Sequence, residues 1–486
     1  MPKFAGRQLS AIAVLFAALL TAFAERYGYH RDELYFLAAG RHLDWGYPDQ
    51  PPLTPLLARA MAAIDANSLL LLRLPSIVAA TFVVVAAGLM ARELGGGRAA
   101  QVLASATVAS AAMVLGVGHL LTTTSFDMAA LALVCLLVLK LLRDPPADPR
   151  LWLGVGLVVG IGLQNKVLLI FPVAALVLAL LLVGSRKVFA TRYFPMAVGL
   201  AVVIWLPYLL WQAHNGWPQW GMSRAIAGGS SGTSDSPVAF VLLQFGLMGP
   251  LLVPLWACGL RRLWRDPRWR AFPVAYAVLF MVFAVSGGKA YYLGGMYPIL
   301  LAAGAIPVAD WLGSRRIRWA AVGSVIAVNT VGSAVLFLPV LPIAVLKDSP
   351  VLAINYDAGE TIGWPQFVRR IAEVRATLGP DIAILTANSG EAGAIEHFGG
   401  EYELPTPHSG HNSYWWWGPP SDTATEIIAV GLDRDHLTRF FAEVDPVGRI
   451  DNGLGIDNDE QGQPLFVCRK PRALWSELWP QAKYLG

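Results

Sequence analysis

Long apolar runs separated by short polar links occupy the first 340 residues of the chain. A helix that crosses a bilayer needs about 20 consecutive, mostly apolar residues, within a range of roughly 17–25. Runs of about this length lie near residues 9–25, 69–91, 99–118, 127–142, 151–165, 167–184, 195–213, 238–259, 271–286, 293–312 and 318–340. The pattern predicts a polytopic α-helical membrane protein with about eleven transmembrane helices.

The polarity pattern changes after about residue 340, where charged and turn-forming residues become frequent. Apolar periodicity predicts helices in WPQFVRRIAEVRATLG, EAGAIEHFG and DHLTRFFAEV, and strands in DIAILTA, TEIIAVGL and PLFVCRK. The prediction is therefore a membrane domain at 1–340, with an outer loop at 26–68, followed by a small α/β domain at 341–486. The Gly/Ser-rich segment 228–237 is predicted to be a further outer loop.

Composition and charge agree with a membrane location. Hydrophobic residues make up 55% of the chain and charged residues 14%, against about 25% charged in an average soluble domain. Alternate links carry more than twice as many Lys and Arg residues as the others, which predicts a cytoplasmic amino terminus and an extracytoplasmic C-terminal domain at the plasma (inner) membrane. A cleavable signal peptide is the alternative for the first run. Nothing in the charge pattern indicates nucleic-acid binding.

Polar side chains gather in the links on the predicted outer face. They are Asp32 and Glu33 after the first span, Asp127 at the fourth, and Lys166 and Lys289 in later links. Each has an ordinary structural explanation by itself, since a lysine at a span end reaches the headgroups and an aspartate caps a helix. Together they supply a carboxylate that can take a proton and cations that can stabilise a departing phosphate.

Six segments carry a family resemblance. They are RDELYFLAAGRHLDWGYPDQPPL after the first span, TTSFD at the fourth, QNK between the fifth and sixth, HNGWP after the seventh, KAYYLGGMYP before the tenth, and SGHNSYWWWGPP in the tail. Together they resemble the bacterial branch of the GT-C glycosyltransferases, which is related to protein O-mannosyltransferases and to the lipid A aminoarabinose transferase. The resemblance implies the GT-C fold. It also implies inverting transfer of a sugar from a polyprenyl-phosphate-linked donor to a lipid, glycan or protein acceptor on the extracytoplasmic face.

The resemblance further implies roles for particular residues. Asp32 is implied to be the catalytic base, supported by Glu33 and faced by Asp127 from the fourth span. Lys289 and Tyr292 are implied to help hold the lipid phosphate.

The first loop departs from the family pattern at one position. Relatives of the aminoarabinose transferase have Glu-Lys-Pro-Pro where this chain has Asp49-Gln50-Pro51-Pro52, so a phosphate-binding lysine is missing. Arg31, Arg41 and Lys166 are the candidates to replace it at the donor phosphate.

A divalent cation is expected from two residues at the same membrane surface. In the family pattern an acid and a histidine, here Asp49 and His214, can hold such an ion. Donor phosphate oxygens or water would complete the coordination, as is common for Mg²⁺ or Mn²⁺, with Zn²⁺ as a further option. The alternative is structural, with Asp49 capping a turn and His214 forming a hydrogen bond at the interface.

The aromatic tail motif has two open interpretations. His411, Tyr414, Trp415 and Trp416 either contact a sugar or acceptor, or form a platform that rests on the bilayer surface.

Two other classes of protein compete with the transferase. A secondary transporter also has many spans and intramembrane charges, but its polar groups lie near the bilayer midplane, often in two related halves. A non-catalytic cell-envelope protein that binds or assembles polysaccharide would give the acids of the first loop no role.

Overall fold

The computed structural model describes residues 1–228 and 236–485. Residues 229–235 of the predicted Gly/Ser-rich loop therefore lie outside the described residues. The helices of the membrane region are α1 (Gly6–Phe23), α2 (Arg31–Arg41), α3 (Leu53–Ala62), α4 (Leu69–Glu93), α5 (Arg98–Ala109), α6 (Ala112–His119), α7 (Thr123–Leu142), α8 (Leu151–Leu163), α9 (Ile170–Val183), α10 (Tyr193–His214), α11 (Pro218–Ala227), α12 (Pro237–Leu247), α13 (Val253–Arg265), α14 (Ala271–Ser286), α15 (Tyr297–Leu312) and α16 (Arg316–Phe337).

Each predicted apolar run coincides with helix, but the number of crossings is not confirmed. Among the described residues, six helices are long and apolar enough to cross a membrane, or up to eight if each of two bent pairs is one span. The bends are 59° between α5 and α6 and 78° at the junction of α12 and α13. Helices α8, α9 and α14 are apolar but shorter. About eleven spans thus remain a prediction.

One of these bends has a clear local cause. Gly249 has φ 97°, and Pro250 follows it, so the chain cannot continue as a helix. A side chain at Gly249 would meet Asn329 Oδ1 at 2.0 Å. Asn329 instead donates hydrogen bonds to the carbonyls of Ser110 and Met248, which ties both bends together.

The C-terminal part is a small α/β unit around one five-stranded sheet. Its elements are α17 (Ile343–Leu346), α18 (Val351–Ile354), α19 (Trp364–Arg375), β1 (Ile382–Thr386), α20 (Ser389–Phe398), β2 (Pro407–Ser409), α21 (Ser413–Trp417), β3 (Glu426–Val430), α22 (Arg434–Phe440), β4 (Phe441–Arg449), β5 (Pro464–Pro471) and α23 (Trp475–Leu478). The strand order is β2-β1-β3-β5-β4, with β2, β1 and β3 parallel and β5 antiparallel to both neighbours.

Most predicted elements of this unit are present, but two strands were missed. The short strand β2 gives too little pattern to detect, and the segment predicted to be one helix, DHLTRFFAEV, changes to strand at Phe441. The side chain of Phe441 is fully buried, because β4 pairs along β5 there. Sheet pairing therefore overrides the local helical periodicity.

The predicted outer loop 26–68 contains helices α2 and α3, and most of α2 is buried. Helix α2 packs against α20, where a side chain at Gly393 would meet the Leu34 backbone at 2.8 Å. Leu34 shares one apolar core with Phe367 of α19 and Ile428 of β3. The α/β unit thus holds the first loop rigidly against the membrane helices.

Candidate active site

The site begins at the amino-terminal end of α2. His30 precedes the helix, and its Nδ1 accepts a hydrogen bond from the backbone N–H of Asp32 at 3.2 Å. Glu33 completes the cap by accepting from the backbone N–H of His30 at 2.8 Å. The Asp32 side chain is exposed in the first turn of α2.

Glu33 has a different environment from its neighbour Asp32. Its side chain is fully buried and forms a bidentate ion pair with Arg73 of α4, at 2.9 Å from Nε and 2.8 Å from a terminal nitrogen. It also accepts from the backbone N–H of Leu121 at 2.8 Å. With both oxygens occupied, Glu33 holds the end of α2 in place, and Asp32 is the carboxylate left accessible to a substrate.

Lys166 is fixed by the turn that contains it. The backbone carbonyl of Gln164 accepts from Leu53, and the Asn165 side chain bonds both Thr54 and the carbonyl of Thr123, at 2.7 and 2.8 Å. Lys166 Nζ then donates to Thr124 Oγ1 at 3.0 Å. Burial lowers the pKa of Lys166 to about 8, against the opposing effect of Asp127, so the ammonium remains charged at neutral pH.

Two lysines converge on one aromatic side chain. Lys166 Nζ lies 5.1 Å from the centre of the Tyr291 ring, and Lys289 Nζ lies 5.9 Å from it. Lys166 is also 5.8 Å from the centre of the Tyr292 ring. An ammonium group that lies against an aromatic ring is attracted by the electrons of the ring face, and here two ammonium groups share the Tyr291 ring. The structure therefore brings together Lys166, Lys289 and Tyr292, which the sequence predicted for the phosphate.

Asp32 belongs to the same cluster as these cations. Its charge acts on Lys166, Tyr291 and Asp49, so Asp32 lies within electrostatic range of each of them. Asp127 is buried in the second turn of α7 and also interacts electrostatically with Lys166. Its Oδ1 atom accepts no hydrogen bond within the part of the chain that the structure describes.

Two further members of the cluster were missed by the sequence analysis. His30 Nε2 lies 3.8 Å from a carboxylate oxygen of Asp357 in the α/β unit. Burial opposes a charge on His30, but Asp357, Asp32 and Glu33 outweigh it and raise its pKa to about 9. A protonated ring cannot accept at Nδ1, so a charge on His30 would break the cap that it forms at the start of α2. His30 directly precedes Arg31, Asp32 and Glu33 in the sequence, and this position could have indicated it. Asp357 lies too far along the chain to be connected with His30 from the sequence.

Asp49 links this cluster to the α/β unit. It accepts a hydrogen bond from Tyr35 Oη at 2.8 Å, and the same hydroxyl contacts Ser413 Oγ at 2.5 Å. Burial raises the pKa of Asp49 to about 7, and the negative charge of Asp32 adds to the shift. The neighbouring Gln50 is buried, at the position where relatives have lysine.

Arg31 and Arg41 form ion pairs with acids of the α/β unit, and their predicted role at the phosphate remains a prediction. Arg31 forms ion pairs with Glu360 at 3.2 Å and with Asp459. Arg41 forms one with Glu396 at 2.7 Å. Both guanidinium groups connect α2 with acids of the α/β unit.

The expected metal site lacks structural support. Within residues 1–228 and 236–485, no three His, Cys, Asp or Glu side chains lie close enough together to hold an ion. Asp49 is already bonded to Tyr35, and His214 is exposed at the end of α10. These residues do not fit a preformed cation site, so no step below depends on a metal.

The aromatic tail motif divides between core and surface. Tyr414 is buried, with its hydroxyl bonded to Glu396 at 2.8 Å, so neither a sugar nor the bilayer reaches it. His411 accepts from the backbone N–H of Ser389. Trp415 donates to the carbonyl of Trp479 at 2.9 Å. Trp416 is partly exposed and lines a cavity that is described below.

Comparisons with known proteins agree with this arrangement. Residues 49–211 match the family model for dolichyl-phosphate-mannose-protein mannosyltransferase. ArnT from Cupriavidus metallidurans, solved in the apo state and bound to undecaprenyl phosphate, is 14% identical, covers 94% of this chain and 97% of its own, and gives TM-scores of 0.61 and 0.62. The mycobacterial arabinofuranosyltransferase AftD is 12% identical over 95% of this chain and 40% of its own, with a TM-score of 0.52. No curated protein sequence matches the chain.

The chain therefore has the fold of ArnT. More particularly, the mannosyltransferase family match spans Asp49, Asp127 and Lys166, whereas Asp32 and Lys289 lie outside it.

Proposed function

We propose that the chain transfers a sugar from a polyprenyl-phosphate-linked donor to an acceptor at the predicted extracytoplasmic surface. The observation that carries the proposal is the exposed Asp32 whose charge acts on Lys166, together with Lys166 and Lys289 against the same Tyr291 ring. The donor class is supported by the fold shared with ArnT, one structure of which is bound to undecaprenyl phosphate. The family match to a dolichyl-phosphate-mannose enzyme supports the same class.

The chemistry follows from the charges in the cluster. The Asp32 carboxylate takes the proton of an acceptor hydroxyl, and the oxygen attacks the anomeric carbon on the face opposite the phosphate. The bond from the anomeric carbon to the phosphate oxygen breaks, and its electron pair leaves with the polyprenyl phosphate. Lys166 and Lys289 stabilise that negative charge. Asp32 then releases its proton to water, and the product has inverted configuration.

Asp127 and Glu33 act on other groups in this scheme. Asp127 keeps Lys166 oriented and partly balances its charge while the donor is absent. Glu33 and Arg73 fix the helix that presents Asp32. Both are positioning residues, since neither is placed to take the acceptor proton.

The decisive test is Asp32→Asn, with Asp65→Asn as the matched control in the same loop. Asp65 is exposed, and among the described residues its side chain accepts a hydrogen bond only from the nearby backbone N–H of Asn67. Transfer from radiolabelled polyprenyl-phosphate sugars to membrane acceptors should fall by at least about 10²-fold in Asp32→Asn, because the amide cannot accept the proton. The control should match the wild type. Full turnover in Asp32→Asn would remove Asp32 as the base.

A further inference from the structure

A cavity of about 310 Å³ lies beside the catalytic cluster and shares none of its charged residues. Its walls come from the end of α2, from the end of α10 and from α21. The lining residues include His42, Asp44, Trp211, Asn215, Trp416 and Trp417. The volume is at the lower end of the roughly 300–1,000 Å³ found for small-molecule sites.

Aromatic rings form two sides of this cavity. Trp417 stacks on His42, with ring centres 4.4 Å apart and planes 17° from parallel. Trp211 lies against the backbone of Gly46, where a side chain would meet its ring at 2.9 Å. These contacts hold both indoles in place before any ligand arrives, so little conformational entropy is lost on binding.

Polar groups stand between these rings. The Asp44 carboxylate is exposed; one oxygen accepts from Trp211 Nε1 at 2.6 Å and the other from the backbone N–H of Trp45 at 2.7 Å, and each oxygen can accept one more hydrogen bond. Asn215 donates to the Trp211 carbonyl at 2.9 Å, which fixes its amide at the rim. Ser413 Oγ lies on the wall and connects through Tyr35 to Asp49.

This combination fits a pyranose ring. A pyranose has C–H groups on its faces, which pack on aromatic rings, and hydroxyl groups around its edge, which need carboxylate or amide partners. An apolar ligand would leave Asp44 and Asn215 without such partners, and a phosphate would be repelled by Asp44. We infer that this aromatic cavity binds one sugar ring of a glycan acceptor, next to the donor site. The role of the bound sugar as an acceptor rests on the proposed function, whereas sugar binding itself can be measured without turnover.

Sugar binding is tested on the full chain in phosphatidylcholine nanodiscs, which avoids detergents with sugar headgroups. The probes are the methyl pyranosides of mannose, glucose and galactose, observed by saturation-transfer NMR. At least one should receive saturation at its ring protons from the wild type. The signal should weaken at least about five-fold in Trp417→Ala, as expected when a buried aromatic contact is truncated. Absence of saturation from every probe would overturn the inference.

Controls separate a local effect from unfolding. His42→Ala removes the other ring of the stacked pair from an exposed position, so it should fold and should lose the same signal. Trp45 is 64% exposed in the same loop but does not line the cavity, and Trp45→Ala should keep full saturation. Equal saturation in wild type, His42→Ala and Trp417→Ala would refute the assignment.

Kinetics then distinguish acceptor from donor. His42→Ala should raise the KM for a glycan acceptor about five-fold and leave the KM for the donor unchanged. A rise in donor KM alone would overturn the acceptor assignment. If no transfer is found with any donor but the variants still lose sugar binding, the proposed function fails and the sugar site remains.

Discussion

Loss of charge should affect the stability of the protein differently at the adjacent acids Asp32 and Glu33. It should destabilise the fold at Glu33 and leave its stability unchanged at Asp32. Glu33 is fully buried, and its two oxygens accept four hydrogen bonds of 2.8–2.9 Å, two of them from Arg73. Glu33→Gln keeps the shape but places an amide nitrogen against a donor and leaves the arginine charge uncompensated. Removing one partner of a buried ion pair costs about 3–5 kcal/mol. This corresponds to a loss of roughly 10²- to 10⁴-fold in the folding equilibrium constant.

Buried thiols provide a stability assay. Cys135 and Cys468 are buried, and Cys258 is exposed. In a Cys258→Ser background, a thiol-reactive fluorophore should label the protein only as it unfolds on heating. Glu33→Gln should be labelled at a clearly lower temperature than the parent, whereas Asp32→Asn should be labelled at the same temperature, because the Asp32 side chain is exposed.

A double variant separates the ion pair from other effects. Arg73→Met alone should also be destabilising, since it leaves the Glu33 carboxylate buried without its cation. The double variant Glu33→Gln/Arg73→Met should cost less than the sum of the two single variants, because the interaction is lost only once. If Glu33→Gln unfolds at the parent temperature but has lost transfer, Glu33 acts in catalysis and the structural role argued here is wrong.

Four further predictions concern the site and its surroundings. Lys166→Met should raise the KM for the donor about 10- to 100-fold, as expected for one hydrogen bond to a charged group, while the exposed control Lys187→Met should not change it. The pKa of Asp49 is raised to about 7 in the folded state, so its contribution to stability is present below about pH 4 and is lost as the pH rises to 7. Asp49→Asn should flatten this part of the profile of stability against pH, and an unchanged profile would refute the pKa shift. A reporter fused after residue 345 should be extracytoplasmic and one within 261–270 cytoplasmic, and the reverse would put the site on the wrong side of the membrane. The metal hypothesis predicts that a chelator reduces activity, that Mg²⁺ or Mn²⁺ restores it, and that alanine at either predicted ligand weakens donor binding; full activity in chelator refutes it.

The local pattern was enough to predict where the helices run. Each apolar run coincides with helix, because burial in lipid requires both apolar side chains and internal backbone hydrogen bonds. The chemistry-bearing links were also recognisable, since charged side chains are costly near a bilayer and occur where they have a partner or a task. Asp32, Lys166 and Lys289 were found in this way.

The partner of each charged group could not be predicted from the sequence. Arg31, Arg41 and Lys166 were equivalent candidates for the phosphate by position, yet the two arginines pair with acids more than 300 residues away along the chain. Asp32 and Glu33 were likewise hard to distinguish as adjacent acids in one helix turn. Helical geometry turns their side chains about 100° apart, and only packing against α4 decided which one was buried.

The sequence by itself determined a membrane protein with many apolar helices, an α/β unit after them, and polar links able to serve transfer from a lipid phosphate. These properties depend on composition and on periodicities of a few residues, which act locally. Only the tertiary structure placed His30 beside Asp357, paired Glu33 with Arg73 and formed the aromatic cavity from three distant segments. Such contacts depend on how helices and sheet dock, and docking is set by the shape and charge of surfaces that residues far apart in the chain build together.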